Sequence, residues 1–359
     1  MKIENMKKIL LTALFAMGAS LATTAQTEIE NFVPGATLEG VSYFLPHTAL
    51  RVTVETEKTV VTPGDLNKYA FRYLRLNDVP TAGSTTYAIK SIKVEPYGVI
   101  DNKKAYSVKV KSKTIAPLVT LTPDGILLSV NKEVAQPTPT ATPNDVPAPK
   151  QLNPRDFMSQ DILTAGSTAK MAELCAQEIY DIRESRNALV RGEADNLPKD
   201  GAQLQIMLSQ LDQQAAALEQ LFKGTTSIST HYTVFNIIPE TEGENIILRF
   251  SQKLGIVDAD DLAGAPIYLS LSPTAPLPAR VTDESIDKKK AKMEKGIYYN
   301  VPVRETIKIY DARNTYTQIE CPMAQFGTTE VLSETLFNKG ATTRVSFFPE
   351  TGGIEKLEQ

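Results

Sequence analysis

Two stretches of this chain, far apart along the sequence, begin alike and lead to similar endings. Residues 40–46 (GVSYFLP) and 296–302 (GIYYNVP) share a glycine, a tyrosine and a proline at the same spacing. Residues 119–126 and 345–354 also resemble each other, since both run from apolar residues through a proline and an acid to a glycine. Strand-like alternation follows the first start, in residues 50–54. The repeat therefore predicts two β modules of one kind, separated by a helical insert.

The insert contains two helical patterns within residues 167–223. Apolar residues recur at helical spacing in each pattern, and a loop with Pro198 and Gly201 separates the two. Because each apolar stripe has to be buried, we expect the helices to pack on each other as an antiparallel hairpin. The first stripe is Met171, Leu174, Cys175, Ile179, Ile182 and Leu189, and the second is Leu204, Met207, Leu208, Leu211, Ala215, Leu218 and Leu221.

A proline-rich segment precedes the helices. Residues 136–150 alternate prolines with small polar residues, which favours an extended polyproline II strap across a surface, with a peptide ligand for another domain as the alternative. The predicted fold class is α+β and mostly β, with two similar, sandwich-like β modules flanking an antiparallel α-helical hairpin. The predicted boundaries are an N-terminal β module over 26–135, a Pro-rich linker over 136–155, the hairpin over 156–226 and a C-terminal β module over 227–359.

Residues 1–25 have the pattern of a secretory signal peptide. Lys7 and Lys8 precede an uncharged apolar stretch, residues 9–22, and small residues end at Ala25. The alternative is a membrane anchor, but the stretch is shorter than the ~20 residues that a spanning helix needs. We therefore expect export to the periplasm, to the periplasmic face of the outer membrane or outside the cell, with no transmembrane segment in the mature chain.

The charge of the chain argues against nucleic acid as a partner. The formal net charge is −4, and loss of residues 1–25 removes three lysines and one glutamate, which changes the net charge to −6. Phosphate backbones bind basic surfaces, which this composition does not favour. We expect the partner to be another envelope protein, while the sequence does not define the oligomeric state.

The sequence offers no recognisable set of ligands for a metal or a cofactor, and we predict neither. His47 and His231 are the two histidines, and neither has a cysteine or an acid at metal-ligand spacing, so we expect ordinary polar residues. The acidic loop 258–261 lacks the glutamate that a calcium loop needs at its twelfth position, which favours a solvated turn. Cys175 and Cys321 either pair in an oxidising compartment or are buried free thiols, and the second interpretation is favoured.

Ser167 and Lys170 are the best catalytic candidates in the sequence. A Ser-x-x-Lys sequence at the start of a helix places both side chains on one face, where the lysine can activate the serine, as in penicillin-recognising enzymes. Those enzymes also use a second polar triad and a Lys-Thr-Gly strand, and residues 223–225 hold these three residue types in another order. The structural alternative, a helix cap at Ser167, is favoured, so we predict no catalytic residue.

Aromatic residues recur at the two module starts, as Tyr43 and Phe44 in the first and as Tyr298 and Tyr299 in the second. Tyrosine pairs line some sugar or peptide sites, but aromatic residues on strands more often pack across a sheet. We favour packing. The absence of tryptophan further weakens a carbohydrate-binding interpretation.

Several segments together resemble a known family. They are residues 40–54, 69–79, 165–173, 182–186, 200–201 and 224–226. The chain is similar along nearly the whole mature sequence to an exported family, found mainly in Bacteroidota, that is described as domain of unknown function 4831. The resemblance implies export to the cell envelope, but it transfers no catalytic residue.

Export, an incomplete catalytic set and a glutamine-rich second helix favour one function. We expect a non-enzymatic scaffold or protein-binding component of the cell envelope. The alternatives are an envelope serine hydrolase that uses Ser167 and Lys170, and a glycan-binding module.

Overall fold

The computed structural model shows a mostly β chain with antiparallel sheets and two long helices. It describes residues 27–31, 41–110, 119–196, 200–275, 296–337 and 343–358. The predicted signal peptide, residues 1–25, lies outside the described residues. In chain order the strands are β1 Thr27–Asn31, β2 Val41–Thr62, β3 Ser84–Val110, β4 Val119–Leu121, β5 Leu127–Val130, β6 Thr225–Ile237, β7 Gly243–Ser251, β8 Gly255–Val257, β9 Ala265–Pro273, β10 Gly296–Tyr310, β11 Thr315–Ser333, β12 Arg344–Phe347 and β13 Ile354–Glu358. The α-helices are α1 Ala70–Leu74, α2 Gln160–Leu163, α3 Thr168–Arg191 and α4 Gly201–Lys223.

The first sheet has the strand order β1-β3-β2-β6. The alternation in β2 buries Leu50, Val52 and Val54, as the sequence predicted, and leaves the residues between them more accessible. Strand β6 comes after the helices in the chain, yet it pairs with β2 from Leu50 to Thr62. The first sheet thus contains strands from both sides of the helical insert.

The second sheet has the order β11-β10-β9-β7-β8 and shares a hydrophobic core with the first sheet. The side chains that alternate with polar residues on β2, β9 and β10 point to this core, so one face of each strand excludes water. The buried members of the core are Leu50, Val52, Val54, Ile92, Leu248, Ile267, Leu269, Leu271, Ile307, Ile309, Cys321 and Met323.

The third sheet has the order β13-β12-β5-β4 and contains one short hairpin that follows each repeated motif. Each motif strand contacts the turn of its own hairpin in the same way. The backbone N–H of Phe44 donates to the carbonyl of Gly125 at 2.9 Å, and the N–H of Asn300 donates to the carbonyl of Gly352 at 3.1 Å. Gly125 and Gly352 both have positive φ, at 91° and 67°, a conformation that glycine adopts readily.

The helices and α1 form a separate hydrophobic cluster. Cys175, Ile179 and Ile182 of α3 and Leu218 and Leu221 of α4 are buried in this cluster, which confirms these parts of both stripes. The expectation that the second stripe is buried throughout is wrong. Its N-terminal part is not enclosed, and Met207 is 40% exposed.

Candidate functional site

Ser167 lies at the start of α3 as the N-cap residue. Its hydroxyl oxygen accepts a hydrogen bond from the backbone N–H of Lys170 at 3.2 Å. The ammonium of Lys170 pairs with the Glu173 carboxylate, also at 3.2 Å, one turn along the exposed face. The contacts of Ser167 and Lys170 are therefore those of a capped helix start, which is the structural alternative that the sequence favoured.

A second serine lies in a chain of side-chain hydrogen bonds on β6. The hydroxyl of Ser229 is 3.0 Å from Nε2 of His231, two residues further along the same face of the strand. Nδ1 of His231 is 2.9 Å from Oδ2 of Asp145, which lies in the proline-rich segment. These contacts bring together a hydroxyl, an imidazole and a carboxylate in the order found in serine hydrolases.

The carboxylate of Asp145 determines the orientation of the imidazole. Its second oxygen accepts the backbone N–H of Tyr232 at 2.9 Å. This bond, followed by the bond from His231, lowers the pKa of Asp145, so the side chain is ionised. Because an ionised carboxylate only accepts hydrogen bonds, Nδ1 of His231 carries a hydrogen. In the neutral ring, Nε2 is then the acceptor for the Ser229 hydroxyl.

The proline-rich segment is held on the first sheet at two places. Val146 exchanges two backbone hydrogen bonds with Thr230, each 2.9 Å long, and so occupies the outer edge of β6. About six residues earlier, Nη1 of Arg51 donates to the carbonyl of Thr140 at 2.6 Å. The segment thereby satisfies backbone groups that an edge strand otherwise leaves open.

A cavity of about 530 Å³ lies where this segment passes the two repeated turns. Arg51 lines it and stands over the ring of Tyr97, with its guanidinium carbon 5.5 Å from the ring centre. Asp124 and Glu350, one from each turn, also line the cavity. The two repeats and the proline-rich segment therefore meet around one partly enclosed, charged space.

The far end of the long helices presents a different kind of surface. Val190 of α3 and Ile206 and Met207 of α4 have 60%, 63% and 40% of their areas exposed. Ile206 and Met207 line a groove of about 660 Å³ between the helices, with Glu193 and Asp195 beside it. Large apolar side chains exposed at the same end of two helices are typical of an interaction surface.

The aromatic residues of the two motifs contact each other in the interior. Tyr43 is buried and its hydroxyl accepts the backbone N–H of Tyr298 at 2.9 Å. The ring of Tyr298 stacks on Tyr106, with 4.3 Å between the centres. Burial raises the pKa of Tyr43 far above its ordinary value. These rings pack the two motifs together, in agreement with the interpretation that the sequence favoured.

The other residues that the sequence singled out lie apart in the structure. His47 pairs with Asp101 at 3.1 Å, away from His231. Within the described ranges, no group of three or more His, Cys, Asp or Glu side chains is placed to hold a metal ion. Cys175 and Cys321 are free, buried thiols in different hydrophobic clusters. Of the helices that the structure describes, none combines the length and the apolar character needed to cross a membrane.

A family model described as domain of unknown function (DUF4831) matches residues 39–355. The chain belongs to this family. The match confirms the resemblance to this family, and its range contains both repeated motifs, the helices and the cluster on β6. Neither a curated protein nor a solved structure matches the chain. Membership of DUF4831 therefore identifies the relatives of the chain but brings no activity with it.

The sequence did not identify the cluster on β6. Ser229 and His231 have the i, i+2 spacing that puts two side chains on one face of a strand, and this was the available signal. Asp145 lies 86 residues earlier in a segment with the composition of a linker, so spacing did not connect it to His231.

Proposed function

We propose that this chain is an exported scaffold or protein-binding component of the cell envelope. The exposed apolar tip of α3 and α4 carries this proposal, because it leaves three large apolar side chains in water at the end of the long helices. The export signal predicted for residues 1–25 supports the envelope as the place where the protein acts.

The partner follows from the chemistry of the tip. Ile206 and Met207 offer an apolar groove that fits one face of an amphipathic helix. Glu193 and Asp195 at its edge add negative charge, which complements lysine or arginine beside the apolar face of the partner. We therefore propose a helical segment of another envelope protein, apolar on one face and flanked by basic residues.

The same proposal gives the helices the role of an antiparallel hairpin that projects from the sheets. Arg183 bonds Glu219 at 2.6 Å, and Arg186 bonds Asp212 at 2.7 Å. The partner of the later arginine on α3 comes earlier on α4, so the two helices run in opposite directions, which supports the hairpin arrangement. The hairpin keeps the tip rigid enough to present a defined surface.

We further propose that the two β regions are copies of one module, packed as a sandwich. The matching hydrogen bonds of Phe44 and Asn300 to glycine carbonyls support this, since they join each motif to its own hairpin in the same way. The core shared by the first and second sheets supports the sandwich packing. The β modules are then a rigid base for the hairpin.

The test compares two substitutions of exposed apolar residues. Ile206→Asp introduces a charge at the tip, whereas Leu262→Asp does so at a residue 83% exposed on a loop of the second sheet. Intact cells that express tagged wild type or either variant are cross-linked, and the envelope proteins are purified by the tag and identified. We expect one specific cross-linked partner with wild type and Leu262→Asp and its loss with Ile206→Asp. Recovery of the same species from both variants, or of cross-linked copies of this chain alone, contradicts the proposal.

A further inference from the structure

The hydrogen-bond chain on β6 meets two geometric requirements of nucleophilic catalysis. The nucleophile has to contact a base, and a third group has to orient the base. Ser229 lies 3.0 Å from His231, and His231 lies 2.9 Å from Asp145. The third group is itself fixed, because Asp145 also accepts the backbone N–H of Tyr232.

We propose that Ser229 is a nucleophile for acyl transfer, with His231 as its general base and Asp145 as the residue that orients the imidazole. This activity is independent of docking at the helical tip, which lies on other elements. It also differs from the alternative hydrolase with Ser167 and Lys170, whose side chains cap a helix and pair with Glu173.

The reaction uses only groups in the cluster, an acyl ester and water. The Ser229 oxygen forms a bond to the acyl carbon while its proton passes to Nε2 of His231. The bond from the acyl carbon to the leaving oxygen then breaks, and the imidazolium returns the proton to that oxygen as the alcohol leaves. Water hydrolyses the acyl-serine by the same two steps, which releases the acid and restores Ser229.

The position of the cluster indicates the class of substrate. The side chains of His231 and Asp145 are 44% and 56% exposed, so the site is open. Lys58 lies directly opposite Ser229 in the neighbouring strand, and opposite residues of an antiparallel pair have side chains on the same face. Its ammonium stands over the ring of Tyr87 on the other neighbouring strand, 5.9 Å from the ring centre, so this cation has to turn toward Ser229 to stabilise the negative charge that develops on the acyl oxygen. An open site of this kind fits exposed acyl esters rather than a buried substrate.

The proline-rich segment completes the site. Ser229 and His231 come from β6, whereas Asp145 is brought to them by a segment that Val146 bonds to Thr230. The alternative is that these contacts have no catalytic role and act only as a clasp, that is, they hold the proline-rich segment on the edge of the first sheet. The experiment has to separate a reactive serine from such a clasp.

The full-length protein is treated with a fluorophosphonate probe, and the labelled serine is identified by mass spectrometry. We expect labelling of Ser229 and its loss in Ser229→Ala. His231→Gln should slow labelling by at least about tenfold, since general-base catalysis typically contributes more than that. The labelling rate of wild type should also rise with pH, and this rise should be absent from His231→Gln, which has no base.

Two matched controls complete the experiment. Ser227→Ala removes a hydroxyl from the same face of β6, two residues further from His231, and should leave labelling unchanged. Ser167→Ala should also leave it unchanged, whereas a label on Ser167 supports the other hydrolase and overturns this proposal. If Ser229 is labelled no faster than Ser227, or is labelled equally fast in His231→Gln, the contacts only hold the segment in place. Either result also overturns the proposal that Ser229 is a nucleophile. Thermal unfolding of each variant checks that the fold is retained.

Discussion

Glu305 provides a sharp test of the sheet packing, because its carboxyl group is buried without a partner. The residue is 0% exposed, and neither carboxyl oxygen has a hydrogen-bond partner. Glu305, Ile307 and Ile309 are each two residues apart on β10, so their side chains share the face that points into the core. Burial, and then the nearby Glu242 carboxylate, raise the pKa of Glu305 above its ordinary value. Its ionised form is therefore unfavourable in the folded protein.

The direction of the pH effect follows from this raised pKa. Below the pKa of glutamate in the unfolded chain, about 4.3, Glu305 is protonated in both the folded and the unfolded state. In this range Glu305 causes no pH-dependent loss of stability. As pH rises through the raised pKa, the folded state has to ionise a buried group, so stability falls. Glu305→Gln keeps the shape of the side chain and removes the charge. We therefore expect the variant to gain stability relative to wild type as the pH increases.

The difference in stability should be close to zero near pH 4 and should grow as the pH rises, by about 1.4 kcal/mol for each unit by which folding raises the pKa of Glu305. Such a change raises the midpoint of thermal unfolding by a few degrees, since each kcal/mol is worth roughly 2–4 °C in a domain of 150–250 residues. Thermal scans of both proteins at several pH values measure it. Glu320→Gln on the adjacent strand, where the side chain is exposed, is the control and should show no such trend. A difference between Glu305→Gln and wild type that is constant with pH refutes the reasoning.

Two further predictions concern close packing and the cysteines. Gly98→Ala should lower stability by more than about 2 kcal/mol, because the added Cβ would lie 2.0 Å from the carbonyl oxygen of Pro349. Gly166→Ala is the control and should have no such effect, because the space around Gly166 is open. Equal melting temperatures for the two variants contradict this prediction. Both cysteine thiols should resist a thiol reagent at pH 8 until the protein unfolds, since burial raises the pKa of each to about 11; rapid labelling of the native protein, or a disulfide on non-reducing mass analysis, contradicts this.

The local parts of the fold could be predicted because they depend on short-range periodicity. Leu50, Val52 and Val54 alternate, and their common face is buried. Ile179 and Ile182 follow helical spacing, and both contact the helical cluster. A period shows which face of an element is apolar, but not which other element covers it. For this reason the sequence correctly predicted a helix for α4 and an apolar stripe along it, but not that Met207 in this stripe is exposed.

The pairing of distant strands could not be predicted in the same way. Strand β6 follows the helical insert, and nothing in its alternation distinguishes a place beside β2 from a place in the second sheet. Loop closure over long sequence separations costs similar entropy for either choice, so the packing of the assembled sheets decides between them. The residues of β6 therefore became neighbours of the proline-rich segment only in the folded chain.

The candidate site illustrates the same limit at the level of single residues. Alternating prolines predict an extended conformation for residues 136–150, but they do not fix where such a segment attaches, since proline lacks the N–H that strand pairing uses. The attachment comes from the non-proline residues, through the backbone of Val146 and the carboxylate of Asp145. A segment with the composition of a spacer thus contributes a structural contact and the acid of the cluster at the same point. Composition identifies such a segment as a linker, and only the hydrogen bonds of its few non-proline residues reveal what else it does.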